Sequence, residues 1–184
     1  MKAIFLFEIN YWLRRPNFYI FFGVFLLFSA WMMSVQGGAF DNGTATVVTN
    51  VKINAPTALN QFINGFSVFL YFLLPAIFGA SIYKDFQHRF HQLFYAYPYT
   101  KGAYFAGKFL SAFLIAFMVY ISVALGAFLG TLFPGVNPEL VGPHDLRAYL
   151  EPFWVYVIPN LLFFGALVFA LVTLFRNNTI GYIA

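Results

Sequence analysis

Seven of the nineteen Lys, Arg, Asp, Glu and His side chains of this sequence lie in one segment, Tyr83 to Leu110. His88 and His91 are three residues apart, a helical spacing that lets two imidazoles share a metal ion. Zinc sites need more ligands than two, and no carboxylate or third histidine sits at a suitable spacing. We therefore expect no metal site in this chain.

The same segment has the pattern of a short amphipathic helix that ends before Pro98. Its apolar face is formed by Phe86 and by the residues four, seven and eight positions after it, which are Phe90, Leu93 and Phe94. Asp85 and Arg89 form an i,i+4 pair in the favourable order, worth ~0.3 kcal/mol if exposed. An ordinary surface loop fits this pattern, but the arrangement also suits docking of a soluble subunit. The residues we predict to dock are Lys84, Asp85, Phe86, Arg89, Phe90, Phe94 and Lys101.

Catalysis by this chain alone is not expected. Cysteine is absent, and the sequence has no GxxxxGK[ST] phosphate loop, no HExxH and no GxSxG. A membrane enzyme would need a catalytic pair, and the nearest candidate is His144, Asp145 and Arg147 in PHDLR. We interpret that group as a solvated loop with a helix cap. The chain is therefore not expected to be an enzyme.

The composition predicts that membrane-spanning helices position these residues. The chain is 61% hydrophobic, 23% aromatic and 9% charged, with a mean hydropathy of +0.76, whereas soluble domains are about 25% charged. The net charge of +4 then reflects membrane topology and anionic lipid, and we expect no nucleic-acid partner.

Four apolar stretches are long enough to cross a ~30 Å hydrocarbon core, which needs ~20 residues. We predict a single all-α, polytopic membrane domain over residues 1–184. Its parts are an interfacial helix (1–16), a first span (17–35), an outer loop (36–61), a second span (62–82), a cytoplasmic coupling helix and turn (83–102), a third span (103–133), an outer loop (134–151), a fourth span (152–175) and the start of a fifth (176–184). In the first outer loop, TATVVTNVKI could form a short strand.

The basic residues predict a cytoplasmic N-terminus. On one side of the four spans lie eight of the ten Lys and Arg residues: Lys2, Arg14, Arg15, Lys84, Arg89, Lys101, Lys108 and Arg176. Basic loops face the cytoplasm. At this surface we expect Trp12, Arg14 and Arg15 at the level of the lipid headgroups and Lys108 reaching lipid phosphates.

The interiors of the predicted spans carry no Asp, Glu, Lys or Arg. Charges within a span mark ion pathways and proton relays, so their absence argues against an ion-coupled transporter and an intramembrane aspartyl enzyme. Gly126 and Gly130 form a GxxxG pair in the third span. The pair allows close helix packing, either within the chain or between two chains.

These elements, in this order, resemble the permease of ABC-2 type exporters. The central segment is similar to the coupling region of that family, with an acidic residue, a short helix, a proline, a polar-basic pair and a lysine entering the next span. The matching residues are Asp85, Gln92, Leu93, Pro98, Thr100, Lys101 and Lys108. The opening residues 7–19 more specifically resemble permeases of Bacteroidetes, some of which are fused to an M1-type aminopeptidase-like domain.

The resemblance implies a dimer, with a second permease copy or homologue, in the bacterial inner membrane. A separate ATP-binding cassette subunit would hold ATP and Mg²⁺, so that this chain itself needs no cofactor, and membrane lipids would surround the spans. The family has six spans, so we expect these 184 residues to be part of a longer protein. A non-transporting membrane anchor or scaffold that recruits a cytoplasmic partner is the alternative.

Overall fold

The computed structural model describes residues 2–40, 51–87 and 100–183, and every regular element in those ranges is a helix. The α-helices are α1 (Lys2–Leu13), α2 (Pro16–Gln36), α3 (Pro56–Tyr71), α4 (Ala80–Gln87), α5 (Lys101–Thr131), α6 (Leu146–Pro152), α7 (Ile158–Phe175) and α8 (Asn178–Ile183). Two π-helices, π1 (Pro75–Gly79) and π2 (Phe153–Val157), and a 3₁₀ turn (Pro138–Leu140) complete the set. The predicted all-α class is confirmed for this part of the chain.

Within the three described ranges, three helical stretches are long and apolar enough to cross a membrane: Pro16–Gln36, Lys101–Thr131 and Leu146–Phe175. The first two agree with the predicted spans 17–35 and 103–133 to within two residues at either end. The third begins six residues before the predicted start at Pro152, because a helical turn capped by Asp145 precedes the proline and π2 carries the helix past it. The second outer loop is correspondingly shorter than the predicted 134–151.

The prediction of four spans and the start of a fifth is not confirmed. The predicted second span, 62–82, is divided between α3, which has 16 residues, and the π1–α4 stretch. Residues 72 and 73 form a turn between them. Pro75 explains the interruption, since it has no N–H to donate to the carbonyl of Tyr71 four residues earlier. At the other end of the chain, α8 is a six-residue helix.

Ten residues of the predicted first outer loop, 41–50, lie outside the described residues, which resume at Val51. The predicted strand in TATVVTNVKI, residues 44–53, lies mostly in that gap, and its described part, residues 51–53, has a bend and the start of a turn. Asp145 accepts a hydrogen bond from the backbone N–H of Arg147 at the start of α6. The helix cap that we expected in PHDLR is therefore present.

Contacts divide the chain into two compact units, which are described separately. Unit 1 contains residues 2–18, 69–87, 100–117 and 159–183. Aromatic rings fill much of its interior: the ring of Phe109 lies 5.4 Å from that of Phe78 and 5.5 Å from that of Phe169. Gly165 makes room for Phe78, because a side chain at Gly165 would collide with that ring. Unit 1 also contains the charged cluster described below.

Unit 2 contains residues 19–40, 51–68 and 118–158. A clasp of hydrogen bonds joins residues 52–54 to residues 139–143. The Asn54 side chain, which is buried, accepts from the backbone N–H of Gly142 at 2.7 Å and donates to the carbonyls of Gly142 and Pro143 at 2.7 and 3.3 Å. The Ile53 N–H donates to the carbonyl of Leu140, so the two loops of unit 2 are held together by both backbone and side chain.

Gly126 and Gly130 pack against α2 inside unit 2. A Cβ atom at Gly126 would collide with the carbonyl of Leu26, and one at Gly130 would lie 2.5 Å from the carbonyl of Ala30. Backbone atoms cannot move aside as a flexible side chain can, so both positions need glycine. Of the two packing alternatives, this GxxxG pair is used within the chain.

Candidate functional site

Four charged side chains from three helices of unit 1 form a continuous cluster. Lys84 Nζ lies 2.5 Å from Glu8 Oε2, and Lys108 Nζ lies 3.0 Å from Glu8 Oε1. Lys108 Nζ also lies 2.6 Å from Asp85 Oδ2. The order along the cluster is therefore Lys84, Glu8, Lys108, Asp85, in which positive and negative groups alternate. We call these four residues the charge cluster.

Neutral groups complete the coordination of the charge cluster. The Tyr104 hydroxyl donates to Asp85 Oδ2 at 2.5 Å, and Lys108 Nζ donates to the Ser81 carbonyl at 2.7 Å. Lys84 Nζ lies over the ring of Tyr11, 3.8 Å from its centroid, and a cation in that position is attracted by the negative face of the ring. Lys108 therefore has an oxygen partner in three directions, which is all that an ammonium can use.

Helical spacing brings these residues together. Ser81 and Asp85 are i,i+4 on α4, and Tyr104 and Lys108 are i,i+4 on α5, so each pair shares one helix face. Glu8 is one of the two buried residues of α1. The three polar faces are complementary in charge, which explains why they face each other in an otherwise apolar unit.

The charge cluster is buried and formally neutral. The side chains of Glu8 and Lys108 are each 2% exposed, and those of Asp85 and Lys84 are 10% and 18% exposed. Burying an isolated charge costs several kcal/mol, and partners compensate that cost only when the geometry is good and the remaining hydrogen-bonding groups are satisfied. Here two carboxylates meet two ammonium groups, so no net charge is buried.

Burial lowers the pKa of the Lys84 ammonium below its ordinary value of 10.5. The negative charge of Glu8 and its hydrogen bond to Lys84 raise the pKa, as does Asp85, while the positive charge of Lys108 lowers it. Desolvation is the largest of these effects, so the folded protein holds the Lys84 proton less tightly than the unfolded chain does. Lys84 lies outside the three candidate spans.

The charge cluster lies at one end of an apolar helix. Lys108 is the eighth residue of α5, about 10 Å along the axis from Lys101 at 1.5 Å per residue. Residues 109–131 that follow are about 34 Å long, which is enough to cross a hydrocarbon core of ~30 Å without Lys108. The part of α5 that would cross the hydrocarbon core, residues 109–131, therefore has no charged side chain.

Several predicted site residues have surroundings that the sequence did not indicate. Lys108 is not available to lipid phosphates, because it is buried between Glu8 and Asp85. Trp12 is also buried, whereas Arg14 and Arg15 are exposed. The position of these three residues at the lipid headgroups stays a prediction. Glu8 and Tyr104 were missed, although the i,i+4 spacing of Tyr104 and Lys108 was visible in the sequence.

The predicted docking residues fall into three groups. Lys84 and Asp85 are part of the charge cluster, so their charged atoms are bonded within the chain. Phe86 is half-buried, with Arg176 Cζ 5.6 Å from its ring centroid, and Lys101 is exposed at the start of α5. The remaining docking residues lie outside the described residues: Arg89, Phe90 and Phe94. Docking of an ATPase by this set stays a prediction.

His88 and His91, the two histidines considered for metal binding, also lie outside the described residues. Within residues 2–40, 51–87 and 100–183, no group of three metal-binding side chains comes together.

Comparison with known proteins found no matching protein family, no matching characterised protein and no matching solved structure. The structure by itself therefore defines the class: in the residues that it describes, the protein is all-helical and has three helices that could cross a membrane.

Proposed function

We propose that this chain is the membrane-spanning permease subunit of an ABC-2 type exporter, energised by a separate ATP-binding subunit. The subunit would dock on the segment 83–102 at the cytoplasmic face of a bacterial inner membrane. The N-terminus would be cytoplasmic, and a second permease copy or homologue would complete the transporter. ATP and Mg²⁺ would be bound by the partner alone.

The observation that carries this proposal is the charge cluster, of which Lys84 and Asp85 lie at the start of the docking segment and Lys108 lies beyond its end. Asp85, near the end of α4, and Lys108, in the first third of α5, are bonded to each other across the segment that joins their helices. The contact of Tyr104 with Asp85 adds a second bond between the same helices. A force applied to the segment by a docked subunit would therefore act on α4 and α5 together.

Glu8 extends this connection to α1. Its two carboxylate oxygens are shared between Lys84 of α4 and Lys108 of α5, so the three helices meet at one carboxylate. An exporter needs its ATP-driven motion to reach more than one membrane element. A shared ion pair at the base of three helices supplies such a connection, which a simple membrane anchor would not need.

The test is affinity purification of the protein from its native membrane in mild detergent, with quantitative mass spectrometry of all retained proteins. We expect an ATP-binding cassette subunit in about equal amount to this chain, and ATP hydrolysis by the purified complex. Recovery of the intact, folded chain without such a subunit would contradict the exporter proposal. A different cytoplasmic protein retained in fixed ratio would instead support the anchor or scaffold alternative.

A further inference from the structure

Unit 1 contains an apolar cavity of about 280 Å³ that the proposed docking mechanism does not use. One wall comes from the interruption after α3, including Tyr71, Phe72 and Pro75, and the opposite wall comes from α7 and α8. The ring of Tyr71 lies 4.6 Å from that of Phe164 across these walls. The cavity is thus located where the chain leaves regular α-helical geometry.

The α7 wall lies near the middle of a helix that could cross a membrane. Phe164, Leu167 and Val168 line the cavity and fall in the central turns of α7, which belongs to the candidate span Leu146–Phe175. The middle of a span lies in the hydrocarbon core, where water is scarce and acyl chains are the solvent.

The lining selects an apolar occupant. Among the described residues that line the cavity, every side chain is hydrocarbon apart from the hydroxyls of Tyr71 and Tyr182. An ordered water needs two to four polar partners, and an apolar cavity of about 150 Å³ stays dry and takes up benzene. This cavity is nearly twice as large, so a flexible hydrocarbon tail of several carbons fits it. Phe72 at its edge is 73% exposed, which leaves a route from the surrounding bilayer.

We propose that this cavity binds one acyl chain of a membrane lipid. The proposal rests on one part of the proposed function, namely that the chain is a membrane protein. It does not depend on export or on an ATPase. Binding here would place a lipid tail beside the break at Pro75.

The test uses the full chain reconstituted in nanodiscs of phosphatidylcholine and phosphatidylglycerol, with a trace of phosphatidylcholine carrying a diazirine on its acyl chain. After irradiation, labelled peptides are mapped by mass spectrometry. We expect several-fold more label on residues 71–75, 164–168 and 181–182 than on other apolar residues of the same helices. Label spread evenly over α7, including the outward-facing Leu162 and Leu174, would overturn the proposal.

Two tryptophan variants separate the cavity from the general lipid surface. Leu167→Trp places a ring in the cavity, whereas Leu162→Trp adds the same ring to a similarly exposed position of α7 that does not line it. We expect Leu167→Trp to reduce cavity labelling at least fivefold and Leu162→Trp to leave it unchanged. Wild-type labelling in Leu167→Trp would contradict the proposal.

A saturation measurement keeps the proposal testable if Leu167→Trp fails to fold. In the wild-type chain, the labelled fraction at a single site reaches a plateau as the mole fraction of probe lipid rises. Transient contact with bulk lipid instead gives a labelled fraction that rises linearly with the mole fraction of probe lipid. We expect a plateau near one lipid per chain for the cavity peptides, and a linear rise at those peptides would overturn the assignment whether or not an ATPase partner is found.

Discussion

Lys108 Nζ lies 3.0 Å from the carboxylate of Glu8, a residue 100 positions earlier in the chain. The two side chains are each 2% exposed, so the pair is an internal contact of unit 1 and not a surface ion pair. Because each residue has a second partner of opposite charge, Asp85 for Lys108 and Lys84 for Glu8, the pair is the centre of an alternating row of four charges.

Removing one central charge should destabilise the protein strongly. Lys108→Met leaves two carboxylates with one ammonium, and Glu8→Gln leaves two ammonium groups with one carboxylate. Breaking a buried pair in this way costs about 3–5 kcal/mol. Unfolding in mild detergent, followed by circular dichroism, should show this loss for each single variant. Lys2→Met, at an exposed position of α1, is the control and should change the stability by less than about 0.5 kcal/mol.

The double variant Glu8→Gln/Lys108→Met restores formal neutrality and should be more stable than the two single losses predict. Residues in one ion-pair network commonly show interaction energies of about 0.5–3 kcal/mol. The same unfolding measurement gives the value. Losses that simply add would mean that Glu8 and Lys108 act independently, against the contact seen here.

The pKa of Lys84 should respond to its partner. Glu8 raises this pKa against the larger effect of burial, so Glu8→Gln should lower it further. Lysines labelled with ¹³C by reductive methylation can be titrated by NMR in nanodiscs, with Lys84→Arg to assign the signal. A pKa that rises or stays constant in Glu8→Gln would show that Glu8 is not the partner.

The lowered pKa also fixes the direction of a pH dependence. Because the folded state binds the Lys84 proton less tightly, unfolding takes up a proton between the folded pKa and the ordinary value of 10.5. Stability from this group should therefore increase as the pH rises through that window. The stability of wild type relative to Lys84→Met, measured by unfolding in mild detergent, should therefore increase from neutral pH upward. A decrease over the same range would contradict the lowered pKa of Lys84.

Gly126→Ala should weaken the packing of α5 on α2. The added methyl group meets the backbone carbonyl of Leu26, and overpacking of this kind costs about 1–3 kcal/mol. Gly23→Ala is the matched control in α2, because nothing lies within 4 Å of a Cβ atom there. A lower melting temperature for Gly126→Ala alone is expected, and equal melting temperatures would contradict the close approach.

Asn54→Ala should open the clasp of unit 2. The substitution removes the partners of the Gly142 N–H and of two carbonyls, and a buried polar group left unsatisfied costs about 1–3 kcal/mol. Hydrogen exchange at residues 139–143 should accelerate. Asn17→Ala, at an exposed position of α2, should leave that exchange unchanged. If both variants exchange alike, the side chain of Asn54 does not hold the loops.

The sequence was sufficient for the elements whose signal is apolar length. It predicted α2 and α5 to within two residues, because a long apolar run must form a helix to satisfy its backbone in lipid. The break at Pro75 was not predicted, since a proline in such a run can be accommodated without ending the helix. Hydropathy also gave no indication that the helix begins before Pro152. Its start at Leu146 is set by the cap of Asp145.

The charge cluster could not be predicted from the sequence, for a different reason. Lys108 near the end of a span has the pattern of a lysine that snorkels to lipid, and only the position of Glu8 distinguishes an internal ion pair from that arrangement. Local spacing cannot bring together residues 100 positions apart. The i,i+4 faces of α4 and α5 were visible, but their complementarity required knowing that these helices are neighbours.

Co-purification of an ATP-binding subunit with a docking variant tests the central claim most directly. The variant combines Arg89→Asp, Phe90→Asp and Lys101→Asp, and Arg147→Asp, exposed in α6, is the control. We predict that the variant inserts into the membrane normally but retains at least about tenfold less ATP-binding subunit, a loss of ~1.4 kcal/mol or more in binding, whereas Arg147→Asp retains the wild-type amount. Equal retention by all three proteins would contradict the assignment of segment 83–102 as the docking site.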